Sequence, residues 1–322
     1  MRVLVFRNMG VCFLVLGQAV AAAAGGFLPG DRALFEAHNC YPYNGFWADR
    51  LSRALTVAPP LALELDLRWQ VPAEGGPGRL IVAHDPPRSD RDPALRDYLF
   101  EPLRPLVEAA LAAGEKEEWP LFTLNLNDLR GGEQAMYDAL WVLTGEYASW
   151  FCTAEKGIDP AVVMPLERKP VLLLTNGGRQ AEATFYDAVP VGGRLRLFGS
   201  GDPERPATNF RRWVNHAWRA VEREGQTRAG AWTPEDAARL GELVAAAHGQ
   251  GYWIRFYALN GHSAVDVVRL GLSPAYNFGS EEAALARWRA AVEAGVDFIA
   301  SDQYEAAGAA IAAARAARQG SR

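Results

Sequence analysis

Apolar runs of strand length alternate with helical stretches along most of this chain, and most of the runs stop on a polar residue just before a loop. The strand-like runs cover residues 32–38, 61–69, 79–84, 121–127, 171–175, 194–198, 252–259 and 296–300. Helical patterns cover 47–55, 95–113, 134–143, 234–250 and 281–294. Strands joined through helices pair in parallel, and a parallel sheet buried on both faces closes readily into a barrel. With 322 residues, 49% of them apolar, ten tryptophans and no Ser/Gly-rich linker, the chain is long enough for one such barrel and shows no second domain. The expected fold is a single TIM-like (β/α)8 barrel. Residues 177–230 are the hard part to count, and the tryptophan-bearing run 213–218 reads as helical.

The run Leu61-Ala62-Leu63-Glu64-Leu65-Asp66-Leu67 is the most informative of these. Side chains alternate along a strand, so leucines 61, 63, 65 and 67 share one face and Glu64 and Asp66 share the other. A strand whose apolar face packs on helices while its acidic face lines a cavity has this pattern, and so does a half-buried antiparallel strand with a wet face. Two further strand ends, Ala37-His38-Asn39 and Ala83-His84-Asp85, add a pair of histidines. In a parallel barrel such polar strand ends gather at the C-terminal mouth, where catalytic groups sit. Two carboxylates on one face can share a hard divalent cation, and imidazoles exchange protons near neutral pH.

Arg2 and Arg7 precede a short apolar stretch and then Ala21-Ala22-Ala23-Ala24, the layout of a secretory signal peptide. The stretch is shorter than the ~20 apolar residues of a spanning helix. Residues 1–24 are therefore expected to be a leader and 25–322 the exported barrel domain, periplasmic or secreted. Cys12 leaves with the leader. Cys40 and Cys152 remain, and in an oxidising compartment they form a bridge only if the fold brings them together. Losing the two arginines moves the net charge from −5 to about −7. Without a basic run, nucleic acid is excluded as a natural partner.

His38-Asn39, Glu64-x-Asp66, His84-Asp85 and the ending Gly295-Val296-Asp297-Phe298-Ile299-Ala300-Ser301-Asp302 resemble the superfamily of glycerophosphodiester phosphodiesterases and phosphatidylinositol-phospholipase-C-like enzymes. The likeness is to a branch whose first strand ends in His-Asn. It implies a barrel phosphodiesterase in which His38 and His84 are general acid and base and Glu64 and Asp66 hold Mg²⁺ or Ca²⁺. A third acidic ligand and a phosphate-binding lysine are usual on the next strand. The matching segment here is Leu124-Asn125-Leu126-Asn127, so Asn125 stands at the ligand position and Asn127 at the lysine position. An amide oxygen still ligates a hard cation but brings no charge.

Arg255 lies in a segment resembling one of the family, where it would meet phosphate in place of the lysine or pair with a neighbouring acid. Tyr257 shares its face and would shape the pocket. Asn39 would hold the metal or His38, or cap the first loop. Asp85 would orient His84 or cap the turn before Pro86. His216, His248 and His262 read as structural. The implied activity is hydrolysis of a glycerophosphodiester, lysophospholipid or phosphoinositide-like substrate, with water or a substrate hydroxyl as nucleophile. Phe46 and Trp47 would touch lipid at the mouth during transient membrane contact, or simply pack the loop. The competing reading is a weakened barrel that binds a phosphorylated lipid or sugar headgroup without turnover, which the two asparagines favour.

Overall fold

The computed structural model describes residues 27–42, 47–86, 92–130 and 134–320. The expected leader and Phe46 lie outside them. Eight parallel strands form a closed barrel: β1 (Leu34–Ala37), β2 (Leu61–Gln70), β3 (Phe122–Arg130), β4 (Val171–Thr175), β5 (Leu197–Ser200), β6 (Arg211–Ala217), β7 (Trp253–Tyr257) and β8 (Phe298–Ser301). Each pairs with the next in chain order, and β8 returns to β1 through Leu34↔Phe298 to Ala37↔Ser301. This is the TIM-like architecture expected from the alternation.

The outward leucines of β2 behave as their spacing predicts. Leu61 keeps 1% of its surface, and Leu63, Leu65 and Leu67 keep none. Each buried leucine contributes roughly 1.5–3 kcal/mol, so the apolar face of this strand alone anchors it firmly to the helix layer. Helix boundaries follow local chemistry. Thr233 and Asp236 form a reciprocal capping box at the start of helix Pro234–Gly249, and Ser280 caps helix Glu281–Ala294. That second helix ends on Gly295 at φ 89°, a left-handed position suited to glycine, and the chain turns directly into β8.

Two expectations about strands need correction. Residues 79–84 are not a barrel stave. Arg79–Val82 runs antiparallel to the far end of β2, pairing Leu67↔Val82 to Gln70↔Arg79, so it is a hairpin extension standing above the mouth. The sixth stave is Arg211–Ala217, which overlaps the run read as helical. Its polar residues hid the period of two. Arg212 hydrogen-bonds Asn209 O and Met164 O, and Asn215 accepts from Arg255, so the charged and amide groups of this central strand are satisfied in place. A small antiparallel sheet of Thr153–Glu155, Leu166–Glu167 and Arg194–Leu195 decorates the barrel. Cys40 and Cys152 are both buried free thiols.

Candidate active site

The end of β1 presents His38 and then Asn39, whose backbone turns through φ 52°. Asparagine tolerates this left-handed conformation better than most residues. The turn aims the Asn39 N–H at Glu64 Oε2, 2.7 Å away on the neighbouring strand. Its side-chain amide donates to Asp302 Oδ1 at 3.0 Å, just past the end of β8. Asp302 Oδ2 lies 3.2 Å from His38 Nδ1. Arg50, from the short helix Arg50–Ala54, donates through Nη1 to Asp302 Oδ1 at 2.8 Å and to His38 O at 3.1 Å. The Tyr304 hydroxyl also donates to His38 O, at 2.7 Å.

These contacts shape the protonation of the site. Burial pushes the Asp302 carboxyl up, but His38 and Arg50 outweigh it and hold the group far below the usual carboxylate range. An ionised Asp302 favours a proton on His38 Nδ1, whereas the Asn39 side-chain N–H, 2.9 Å from the same nitrogen, favours a lone pair there, so both contacts engage Nδ1 without choosing its tautomer. Burial also works against the His38 imidazolium, yet the charge and hydrogen bond of Asp302 raise it above the ordinary histidine value. Nε2 is then the nitrogen left for proton transfer. Tyr257 and Tyr276 flank the ring with centroids 6.0 Å away, so Tyr257 does line the histidine as its strand position suggested.

Beside this dyad, Glu64 and Asp66 are each 4% exposed. The Tyr41 hydroxyl lies 2.7 Å from Asn39 Oδ1 and 3.0 Å from Asp66 Oδ2, and its single proton serves one of them at a time. Burial and then the charge of Asp66 push Glu64 up, while burial and then Asp128 push Asp66 up to about 6. Neither carboxylate forms a salt bridge with a described residue.

Strand β3 departs from regular pairing at this level. Glu64 pairs with Asn125, but Asp66 pairs with Asp128, so one extra residue is taken up between them as a β-bulge. Asn127 falls in the bulge, and Asp128 stands level with Asp66 in its place. Arg130, two residues on, pairs with Asp128 at 2.5 Å and reaches His84 Nε2 at 3.1 Å through the same Nη2. Arginine only donates, so Nε2 of His84 accepts and Nδ1 carries the proton toward Asp85 Oδ1 at 3.1 Å. Arg68 holds the His84 carbonyl at 2.8 and 2.6 Å. The hairpin thus brings His84 to the mouth although its strand is no stave.

Asn125 and Arg255 meet in a buried layer inside the barrel. Glu36 Oε1 accepts from Arg255 Nε at 2.6 Å and from Asn125 Nδ2 at 3.3 Å, and Arg255 Nη1 donates to Asn215 at 2.9 Å. Arg255, 1% exposed, is therefore committed to Glu36. Asn125 Oδ1 is buried without a hydrogen bond among the described residues.

A divalent cation can be tested against these groups. Among the described residues no three Asp, Glu, His or Cys side chains converge as ligands. The oxygen set on offer is Glu64, Asp66 and the orphaned Asn125 Oδ1. Two buried carboxylates, Glu64 pushed up by burial and by Asp66, and Asp66 by burial and by Asp128, neither of them in a salt bridge with a described residue, suit a hard cation.

The remaining histidines lie apart from this chemistry. His248 pairs with buried Asp297 at 2.9 Å, and His216 stacks on Phe256. Asp302, Arg50, Tyr41, Asp128, Arg130 and Tyr276 were not among the candidates from sequence. Asp302 had a signal, since Ser301-Asp302 is a polar strand end, whereas Arg130 is placed by a bulge that no residue pattern announces.

Comparison with known proteins gives one named relative in structure. No family model matches the chain, and no curated protein does. Among solved structures the chain is similar to a glycerophosphoryl diester phosphodiesterase from Parabacteroides distasonis ATCC 8503. The two are 15% identical, the match covers 88% of this chain and 87% of that one, and the TM-score is 0.42.

Proposed function

We propose that this protein is an exported, metal-dependent phosphodiesterase acting on a glycerophosphodiester, lysophospholipid or phosphoinositide-like substrate. The observation that carries the reading is the His38–Asp302 pair set beside two buried carboxylates that form no salt bridge with a described residue. An oriented histidine supplies proton transfer, and unpaired acids suit a cation that neutralises phosphate.

Glu64, Asp66 and Asn125 would hold the divalent ion, Mg²⁺ or Ca²⁺, which when bound supplies charge neutralisation at the non-bridging oxygens. The protein's own residues move the protons. One of His38 and His84 takes the proton of the attacking hydroxyl, from water or from the substrate itself, as its oxygen bonds to phosphorus. The other gives a proton to the departing oxygen as its P–O bond breaks. Asp302 holds His38 through Nδ1 and leaves Nε2 to exchange the proton, and Asp85 faces Nδ1 of His84 at 3.1 Å.

The test is hydrolysis of bis-p-nitrophenyl phosphate, glycerophosphocholine and lysophosphatidylcholine with Mg²⁺, Ca²⁺ or EDTA, beside Glu64→Ala/Asp66→Ala and His38→Ala. Activity that needs metal and is lost in both variants supports the reading. Activity that persists in EDTA and in both variants overturns it. The second reading, a binding protein without turnover, is favoured by Asn125, whose amide is already spent on Glu36. Calorimetric cation binding with silence across the substrate panel would select it. Export from the leader at 1–24 and transient membrane contact through Trp47 belong to the same proposal. Among the described residues no helix is long and apolar enough to cross a membrane.

A further inference from the structure

The position where the superfamily carries a phosphate-binding lysine is Asn127 here, and the bulge removes it from the register of the site. We propose that Arg130 is the side chain that binds the substrate phosphate in this chain, an inference that rests on the phosphodiesterase reading above.

Three observations single it out. The bulge sets Arg130 on the same face as Asp128 and level with Arg68 of β2, and its charge acts on Asp66. Its hydrogen bonds are concentrated on one nitrogen: Nη2 serves both Asp128 and His84. Its Nε is buried without a hydrogen-bond partner among the described residues. A guanidinium has five N–H donors, and Nη2 is shared by both of its two-donor edges, so the group left to meet a phosphate oxygen is Nη1, which makes no hydrogen bond to a described residue. Finally, Arg130 touches His84, so a phosphate oxygen held on its Nη1 lies beside a candidate proton carrier.

The neighbouring arginines are committed elsewhere. Arg255 gives Nε to Glu36 and Nη1 to Asn215 and keeps only a buried Nη2 at 1% exposure, and Arg68 spends Nε and Nη2 on the His84 carbonyl. Arg50 is 4% exposed and gives Nη1 to His38 O, Asp302 and Tyr304. Arg130 keeps about a third of its side chain exposed, at 34%, which an incoming anion requires. Asp128 holds the fork in place and yields one contact when a phosphate arrives.

The experiment is calorimetric titration of the full mature chain with inorganic phosphate and with glycerol 3-phosphate, for wild type, Arg130→Gln and Arg130→Lys, alongside bis-p-nitrophenyl phosphate hydrolysis. Expected results are phosphate affinity at least ~10-fold weaker in Arg130→Gln, partial recovery in Arg130→Lys and an unchanged thermal midpoint. Recovery by lysine separates phosphate binding from a packing role, and the lysine variant serves alone if the glutamine variant does not fold. Wild-type protein that binds neither anion, or Arg130→Gln that binds them as wild type does, overturns the inference. Wild type that hydrolyses the diester, with Arg130→Gln equally active, overturns Arg130 and leaves the phosphodiesterase reading standing. Wild type that hydrolyses nothing but loses phosphate on Arg130→Gln supports Arg130 and removes the enzyme.

Discussion

Replacing Asp66 with asparagine should make the metal-free protein more stable at alkaline pH, the reverse of what most changes to buried residues do. Burial, with Asp128 beside it, pushes the Asp66 carboxyl from 3.8 up to about 6. The unfolded chain ionises that group near its ordinary value, so above pH 6 the folded state carries a charge that it disfavours. The difference corresponds to on the order of 3 kcal/mol opposing folding. The sign follows from proton counts: between the two values the folded state binds more protons than the unfolded one, so stability falls as pH rises. The penalty is complete above about 6 and absent below the unfolded value. The Asp66→Asn amide still accepts from the Tyr41 hydroxyl, at 3.0 Å in the native chain, and carries no charge.

Urea unfolding in EDTA at about pH 8 should therefore show Asp66→Asn more stable than wild type by roughly 1–3 kcal/mol, and the advantage should vanish near pH 4. Saturating Mg²⁺ or Ca²⁺ should reverse the order, since a cation present at a hundredfold its Kd adds about 2.7 kcal/mol to the wild type. Equal stabilities in EDTA at both pH values would refute the claim that Asp66 is a destabilised, cation-seeking carboxylate. A cation response of the same size in both proteins would refute its role as a ligand.

Other consequences are open to direct measurement. Asp302→Asn removes the charge that raises His38, so the His38-controlled limb of a kcat/KM pH profile should move to lower pH and kcat should fall roughly 10²–10³-fold. Glu36→Gln leaves Arg255 buried beside an uncharged partner and should cost about 3–5 kcal/mol in denaturant unfolding, with Glu36→Gln/Arg255→Met costing less than Glu36→Gln alone. Burial pushes both the Cys40 and Cys152 thiols up to about 12, so Ellman's reagent should find them unreactive until the chain is unfolded, with no change in mobility on non-reducing gels.

The parts of this molecule legible in sequence are those governed by local period. The leucine face of β2, the inward pair Glu64 and Asp66, the capped helices and the polar ends of β1 and β8 all follow from spacing of two or from capping chemistry. The parts that were not legible depend on partners distant in sequence. Arg211–Ala217 reads poorly as a strand because Arg212 and Asn215 look misplaced until Asn209, Met164 and Arg255 arrive to satisfy them. Residues 79–84 have the composition of a stave, and only their antiparallel pairing with β2 reveals a hairpin. Asn127 takes its expected place from the match of residues 124–127 to a segment of the resembled family, and nothing in that match announces the inserted residue. Arg255 lies on the inward face as its alternation implied, but the acid that claims it, Glu36, is 219 residues away.

The dyad of His38 and Asp302 straddles the seam where β1 meets β8, so its members are separated by 264 residues and joined only when the last stave docks. A nascent chain that has made every strand but the last holds both candidate histidines and both acids of β2, yet lacks the carboxylate that raises His38. Competence then arrives in one step with the final closure. Any chain shortened before residue 302, or opened at that seam, would lack the pair however much of the remaining barrel it retained.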